Sequence, residues 1–141
     1  MSTILKFEEL DIWQQARKLS LEIFKTTSVM PFASDFRFRD QVRAAAGSAM
    51  DNIAEGFERS SRLEFVNFPG FSKGSCGEVK SQLYRALDQN YISKELFNHL
   101  CERYTKLCSG IAAFIIYLNK AEARGLRFKD RNQQQTINKK L

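Results

Sequence analysis

The sequence predicts an all-α chain folded as an antiparallel, up-down-up-down four-helix bundle, and three observations carry that prediction. Apolar residues recur at three- and four-residue steps through four long segments, the spacing that lines one face of a 3.6-residue helix. Only 2 Pro and 7 Gly punctuate 141 residues, too few turn signals for an all-β fold. The connections near 30–34, 59–62 and 90–93 are a few residues each, so sequential helices are expected to pack antiparallel. With 43% hydrophobic and 27% charged residues, the composition is that of one globular domain.

The first helix is expected over about 8–29, with Leu10, Ile12, Trp13, Ala16, Leu19, Ile23 and Phe24 on one face. Pro31 should end it, because proline disfavours helical geometry in the residue before it. The second helix, about 35–57, takes Ser34 as its N-cap and Asp35 at the positive end of its dipole. Its apolar residues include Val42, Ala45, Ala46, Ala49, Met50, Ile53 and Phe57. The third, about 63–90, contains Pro69. An interior proline costs about 3 kcal/mol, so a kink near Phe65–Pro69 is expected rather than a fresh start. Small residues cluster at 44–49 and 74–77, which suggests close backbone approach of the second and third helices, since glycine in a helix is otherwise unfavourable. The fourth helix begins after Ser93 and runs over about 94–123. Its stripe Phe97, Leu100, Tyr104, Leu107, Ile111, Phe114, Leu118 is a heptad seam with Cys101, Cys108 and Ile115 beside it, and it should supply the central core. Surplus apolar surface near Ile111–Leu118 implies burial against further copies of the chain.

Charge divides the chain in two. Residues 124–141 hold Arg124, Arg127, Lys129, Arg131, Lys139 and Lys140 against Asp130 alone, a net of +5 out of +6 for the whole chain. The body, 1–123, is nearly neutral, and 124–141 reads as a basic flexible tail. Its cations suit phosphates, and Phe128 offers a stacking face to an unpaired base. Arg124, Arg127, Phe128, Lys129, Arg131, Lys139 and Lys140 are therefore the candidate nucleic-acid-binding residues. A tail that merely solubilises the protein is the bland alternative. Arg17–Lys18 and Arg59–Arg62 read as peripheral charge.

Catalytic chemistry finds little to work with. The single histidine, His99, excludes a di-iron bundle built on paired Glu-x-x-His motifs, and no nucleophile elbow exists for a Ser-His-Asp arrangement. His99 itself reads as a solvated or capping residue. Cys76, Cys101 and Cys108 lack metal-site spacing and read as reduced core thiols. The chain is expected to be no enzyme and to need no cofactor or metal. One polar row runs along the second helix: Gln41, Ser48, Asn52 and Glu55, with Arg43 nearby. It reads as a polar network that fixes bundle register or lines a subunit contact, in which Arg43 and Glu55 suit a bidentate pair. A solvated face and a ligand site are the other readings. No apolar run reaches the length of a membrane span, and MSTILKFEEL lacks the pattern of a signal peptide, so a cytoplasmic location and no membrane partner are expected.

FEELDIWQQARKL at 7–19, QVRAAAGSAMDNIAEGFERSSRLEF at 41–65 and KGSCGEVKSQLYRALDQNYIS at 73–93 resemble the four-helix-bundle proteins encoded in 23S ribosomal RNA intervening sequences. The resemblance covers roughly 7–120, with NIAEGF at 52–57 as its most specific block. It implies a left-handed bundle and a homopentamer, as in the related accessory variability determinant of diversity-generating retroelements, which binds nucleic acid and a reverse transcriptase. It supplies no catalytic residues. Ala44 stands where the family often has a second basic residue, and Pro69 where an aliphatic one is usual. Two functions are thus expected: a non-enzymatic oligomeric bundle that binds nucleic acid, RNA before DNA, or a scaffold for a protein partner such as a reverse-transcriptase-like enzyme.

Overall fold

Four helices carry the chain: α1 (Asp11–Thr27), α2 (Phe36–Glu58), α3 (Arg62–Asp88) and α4 (Lys94–Ala123), with short 3-10 turns at Phe7–Glu9 and Phe32–Ser34. The computed structural model describes residues 4–59 and 62–123, the side chains of 62–66 and 121–123 excepted. Among the described residues there is no strand. Each helix packs against two others, α1 on α2 and α4, α3 on α2 and α4, so the four close around one core. No helix among the described residues is long and apolar enough to cross a membrane.

The helix ends differ from the sequence expectation for local reasons. α1 stops at Thr27, before Pro31, and the hydroxyls of its last turn account for this. Thr27 Oγ1 donates to the Ile23 carbonyl at 2.8 Å and Ser28 Oγ to the Phe24 carbonyl at 2.6 Å, offering the backbone acceptors an alternative to the continuing helix. The N-cap of α2 is Asp35, not Ser34. Asp35 Oδ1 accepts from the Phe38 N–H at 3.4 Å, whereas Ser34 Oγ donates back to the Pro31 carbonyl. α3 ends at Asp88, and Asn90 follows in the left-handed region at φ 60°, a conformation asparagine tolerates at helix ends. Ser93 caps α4, its Oγ accepting from the Leu96 N–H at 3.1 Å.

α3 runs through Pro69 as one helix, so the sequence-level alternative of a fresh start does not occur. The Pro69 ring is buried, which offsets part of the lost hydrogen bond. The core holds the expected stripe of α4, with Leu100, Leu107, Ile111 and Leu118 fully enclosed. Phe114 departs from it: it is only partly buried against the core edge. Phe24 departs further and is exposed, with the Arg43 guanidinium 4.4 Å from its ring centroid. At one end of the bundle Phe32 stacks on Phe38 at 5.2 Å and meets Tyr91 at 5.1 Å.

α2 and α3 do pack on each other, but not through the glycines of the two small-residue clusters: a Cβ at Gly47, Gly74 or Gly77 would meet open space. Ala45, Ala46 and Ala49 are the buried small residues of α2, and the buried Ser72 hydroxyl donates to the Ala49 carbonyl across the seam. Gly110 on α4 is tight: a Cβ there would lie 3.2 Å from Ile12 Cγ2 of α1.

Candidate nucleic-acid interface

The polar row of α2 splits in three. Asn52 Nδ2 donates to the Ser48 carbonyl at 2.8 Å and to Ser48 Oγ at 2.9 Å, and Ser75 of α3 reaches Ser48 Oγ at 3.1 Å. Gln41 and Ser48 also line a groove of about 520 Å³ between α2 and α3, with Glu78, Gln82 and Arg85 on the opposite wall. Gln82 is buried, and its Oε1 has no partner among the described residues. Arg43 and Glu55 lie apart. Arg43 donates to Thr27 Oγ1 at 2.8 Å and Ser28 Oγ at 3.0 Å, tying α2 to the end of α1, while Glu55 accepts from Arg59 at 3.1 Å. The expected Arg43–Glu55 pair is not made, and helix geometry says why: twelve residues span about 18 Å along the axis, beyond the reach of two side chains.

A second concavity, of about 430 Å³, lies between α1 and α4 and is basic. Lys18 of α1 faces Arg103 and Lys106 of α4, with Gln15 and His99 completing the walls and Glu102 the single carboxylate in the lining. Toward one end Gly110 of α4 lies against Ile12 of α1. At the other, His99 Nε2 lies 2.8 Å from Glu22 Oε1, so His99 bridges the two helices rather than capping one. Lys106 and Glu102 approach at 3.6 Å, but both are well exposed, and such surface pairs contribute little. Neither Lys18 nor Arg103 has an ionic partner among the described residues. On the outer side of α1 a mostly apolar hollow of about 660 Å³ is lined by Trp13, Arg17 and Leu21, and Lys18 lies in both walls. Arg17 places its guanidinium 5.8 Å from the Trp13 ring centroid.

The three thiols differ. Cys76 is buried while Cys101 and Cys108 are partly exposed, and all are free. The neighbouring Cys76 lowers the Cys108 pKa to about 7, with Lys80 and Lys73 adding to the effect. Cys76 is correspondingly pushed far up by Cys108 and by burial. Among the described residues no group of three or more potential metal ligands comes together.

Arg124, Arg127, Phe128, Lys129, Arg131, Lys139 and Lys140 lie outside the described residues. The α1–α4 cleft is what sequence reasoning missed. Arg103 and Lys106 stand three apart on one helical face, a signal visible in the sequence. That Lys18 joins them depends on the register of two helices distant in the chain, which periodicity does not encode.

The model of a family described as 23S rRNA-intervening sequence protein matches residues 8–113. Among solved structures, a protein of unknown function from the S23 ribosomal protein family of Bacteroides thetaiotaomicron superposes with a TM-score of 0.67 at 17% identity, covering 74% of this chain and 94% of that one. At that identity the likeness is one of fold. No curated protein matches the chain.

Proposed function

The chain belongs to the 23S rRNA-intervening sequence protein family, and from that premise we propose that it is a non-enzymatic, oligomeric helical-bundle protein that binds RNA through charge and shape. The observation that carries the reading is the segregation of charge. A net of +5 falls in residues 124–141, from Arg124 to Lys140, against a nearly neutral body. A polycation of this density attracts any polyanion and releases counterions on contact. Copies of the chain assembled together would present several such segments to one RNA and gain avidity without new contacts. The apolar side chains of Ile116 and Tyr117, exposed on α4, favour assembly, and the number five comes from the family resemblance. Sedimentation at micromolar concentration checks this: a species of 16.3 kDa refutes assembly, and a dimer refutes only the pentamer.

The test of RNA binding is the affinity of a short labelled single-stranded RNA for the full chain and for a chain lacking 126–141, each at two salt concentrations. Loss of affinity with rising salt, and a flatter salt response after truncation, support the reading. Salt-insensitive behaviour with no RNA complex favours the second reading, a scaffold for a protein partner. That reading draws on a separate observation: Val29, Met30 and Phe36 are each more than 60% exposed near the α1–α2 connection, an apolar cluster of the kind that protein contacts cover.

A further inference from the structure

The near-neutrality of the bundle is an average that conceals a local concentration of positive charge. Lys18, Arg103 and Lys106 converge from two helices on one concavity, in a body whose cations and anions otherwise almost cancel. We infer that the α1–α4 cleft is a binding site for the phosphodiester backbone of single-stranded RNA, with the adjoining hollow on α1 receiving a base. This rests on the RNA-binding reading and adds a site on the bundle surface, separate from the basic segment at 124–141.

Three features select the ligand. The first is charge geometry. Arg103 presents a planar fork that matches phosphate oxygens, flanked by two ammonium groups, and neither it nor Lys18 has an ionic partner to surrender among the described residues. The second is the adjoining hollow. A nucleotide joins an anionic group to a flat, largely apolar one, and the two concavities share Lys18 as their common wall. Leu21, the Arg17 guanidinium and the exposed edge of the largely buried Trp13 supply the apolar and planar surface beside it, and Glu8 and Gln14 complete the lining. A duplex keeps its bases stacked inside, so unpaired RNA fits where paired RNA does not. A polyglutamate would satisfy the cations but has no flat group for the hollow. The third is the polar end of the cleft. Glu102 is the one carboxylate in the cleft lining, Glu8 stands at the hollow, and Glu22 is turned to His99 at 2.8 Å outside the lining.

The experiment uses the full chain and a short labelled oligouridylate, with three variants of intact helicity by circular dichroism. The cleft variant Lys18→Gln/Arg103→Gln/Lys106→Gln should bind at least tenfold more weakly at low salt, with the slope of log affinity against log salt reduced by about two. A charge-matched control away from the cleft, Lys25→Gln/Arg37→Gln/Lys73→Gln, should lose less than threefold. Glu102→Gln should bind more tightly, an opposite sign that a merely structural role would not produce. Trp13 is the only tryptophan, so its fluorescence reports the hollow directly and should change on RNA addition in the wild-type chain. No RNA binding by the full chain overturns both the function and the site. Binding that the cleft variant and the control weaken equally overturns the site while leaving the function standing. An unchanged Trp13 signal overturns the placement of the base. A polyglutamate of equal charge that binds as tightly, with the same dependence on the cleft, overturns RNA as the occupant.

Discussion

Cys108 illustrates how a single neighbour sets the chemistry of a residue. With Cys76 beside it and Lys80 and Lys73 nearby, its pKa is lowered to about 7. Alkylation at Cys108, followed by mass spectrometry, should rise through a midpoint near pH 7. Cys76→Ala, by removing that neighbour, should move that midpoint upward toward the ordinary thiol range. Tyr104 shows the reverse situation. Its ring is fully enclosed and its hydroxyl has no partner among the described residues, and burial pushes its pKa far up. An unsatisfied buried hydroxyl costs about 1–3 kcal/mol, so Tyr104→Phe should raise the denaturation midpoint, by about 1 kcal/mol in stability. The sequence placed both residues on the inward side of α4, because heptad spacing is a property of one helix. Their neighbours come from elsewhere in the fold, and no spacing rule within α4 names them. The same limit applied to Arg43, whose hydroxyl partners Thr27 and Ser28 sit on another helix.

At the scale of the element, helix existence was legible and helix ends were less so. Four periodic segments became four helices, since each buries a stripe long enough to outweigh local preferences. The ends depended on single hydrogen bonds that compete within a residue or two, as at Thr27, Asp35 and Asn90. Asp35 carries two of them, accepting the Phe38 N–H and the Tyr91 hydroxyl at 2.7 Å. Asp35→Ala should therefore cost about 1–2 kcal/mol as a lost cap, measured by chemical denaturation, and Ser34→Ala much less. α3 supplies a contrasting test. Its interior Pro69 forgoes a backbone hydrogen bond, while its ring is buried. Pro69→Ala should be stabilising, by less than the roughly 3 kcal/mol that separates the two residues in an exposed helix, and the thermal midpoint reads the sign.

For the molecule as a whole, the core among the described residues extends from Leu10 to Leu118. Removing 126–141 should leave the thermal midpoint unchanged within a degree or two, even where it alters RNA affinity. Within the core the energetic weight sits where enclosure is complete. Ile111→Ala should cost about 2–5 kcal/mol, and Phe114→Ala, at the partly buried edge, less than the about 3–5 kcal/mol of an enclosed phenylalanine. The bundle was readable because its cause, a continuous apolar stripe on each helix, is written in one dimension. The basic cleft was not, because it exists only once α1 and α4 have settled into register.

That register is held at two points, and the Gly110 contact works as the pivot of a calliper. The jaws are α1 and α4; Ile12 rests in the notch that a missing side chain leaves on α4, and the His99–Glu22 bond latches the far end. The separation of Lys18 from Arg103 and Lys106 is thus a mechanical setting. Gly110→Ala would insert a shim at the pivot, so that Ile12 must yield by a few tenths of an ångström. Its effect should show in the grip on RNA as well as in the stability of the helix, because the gauge of the opening is fixed where no charge resides.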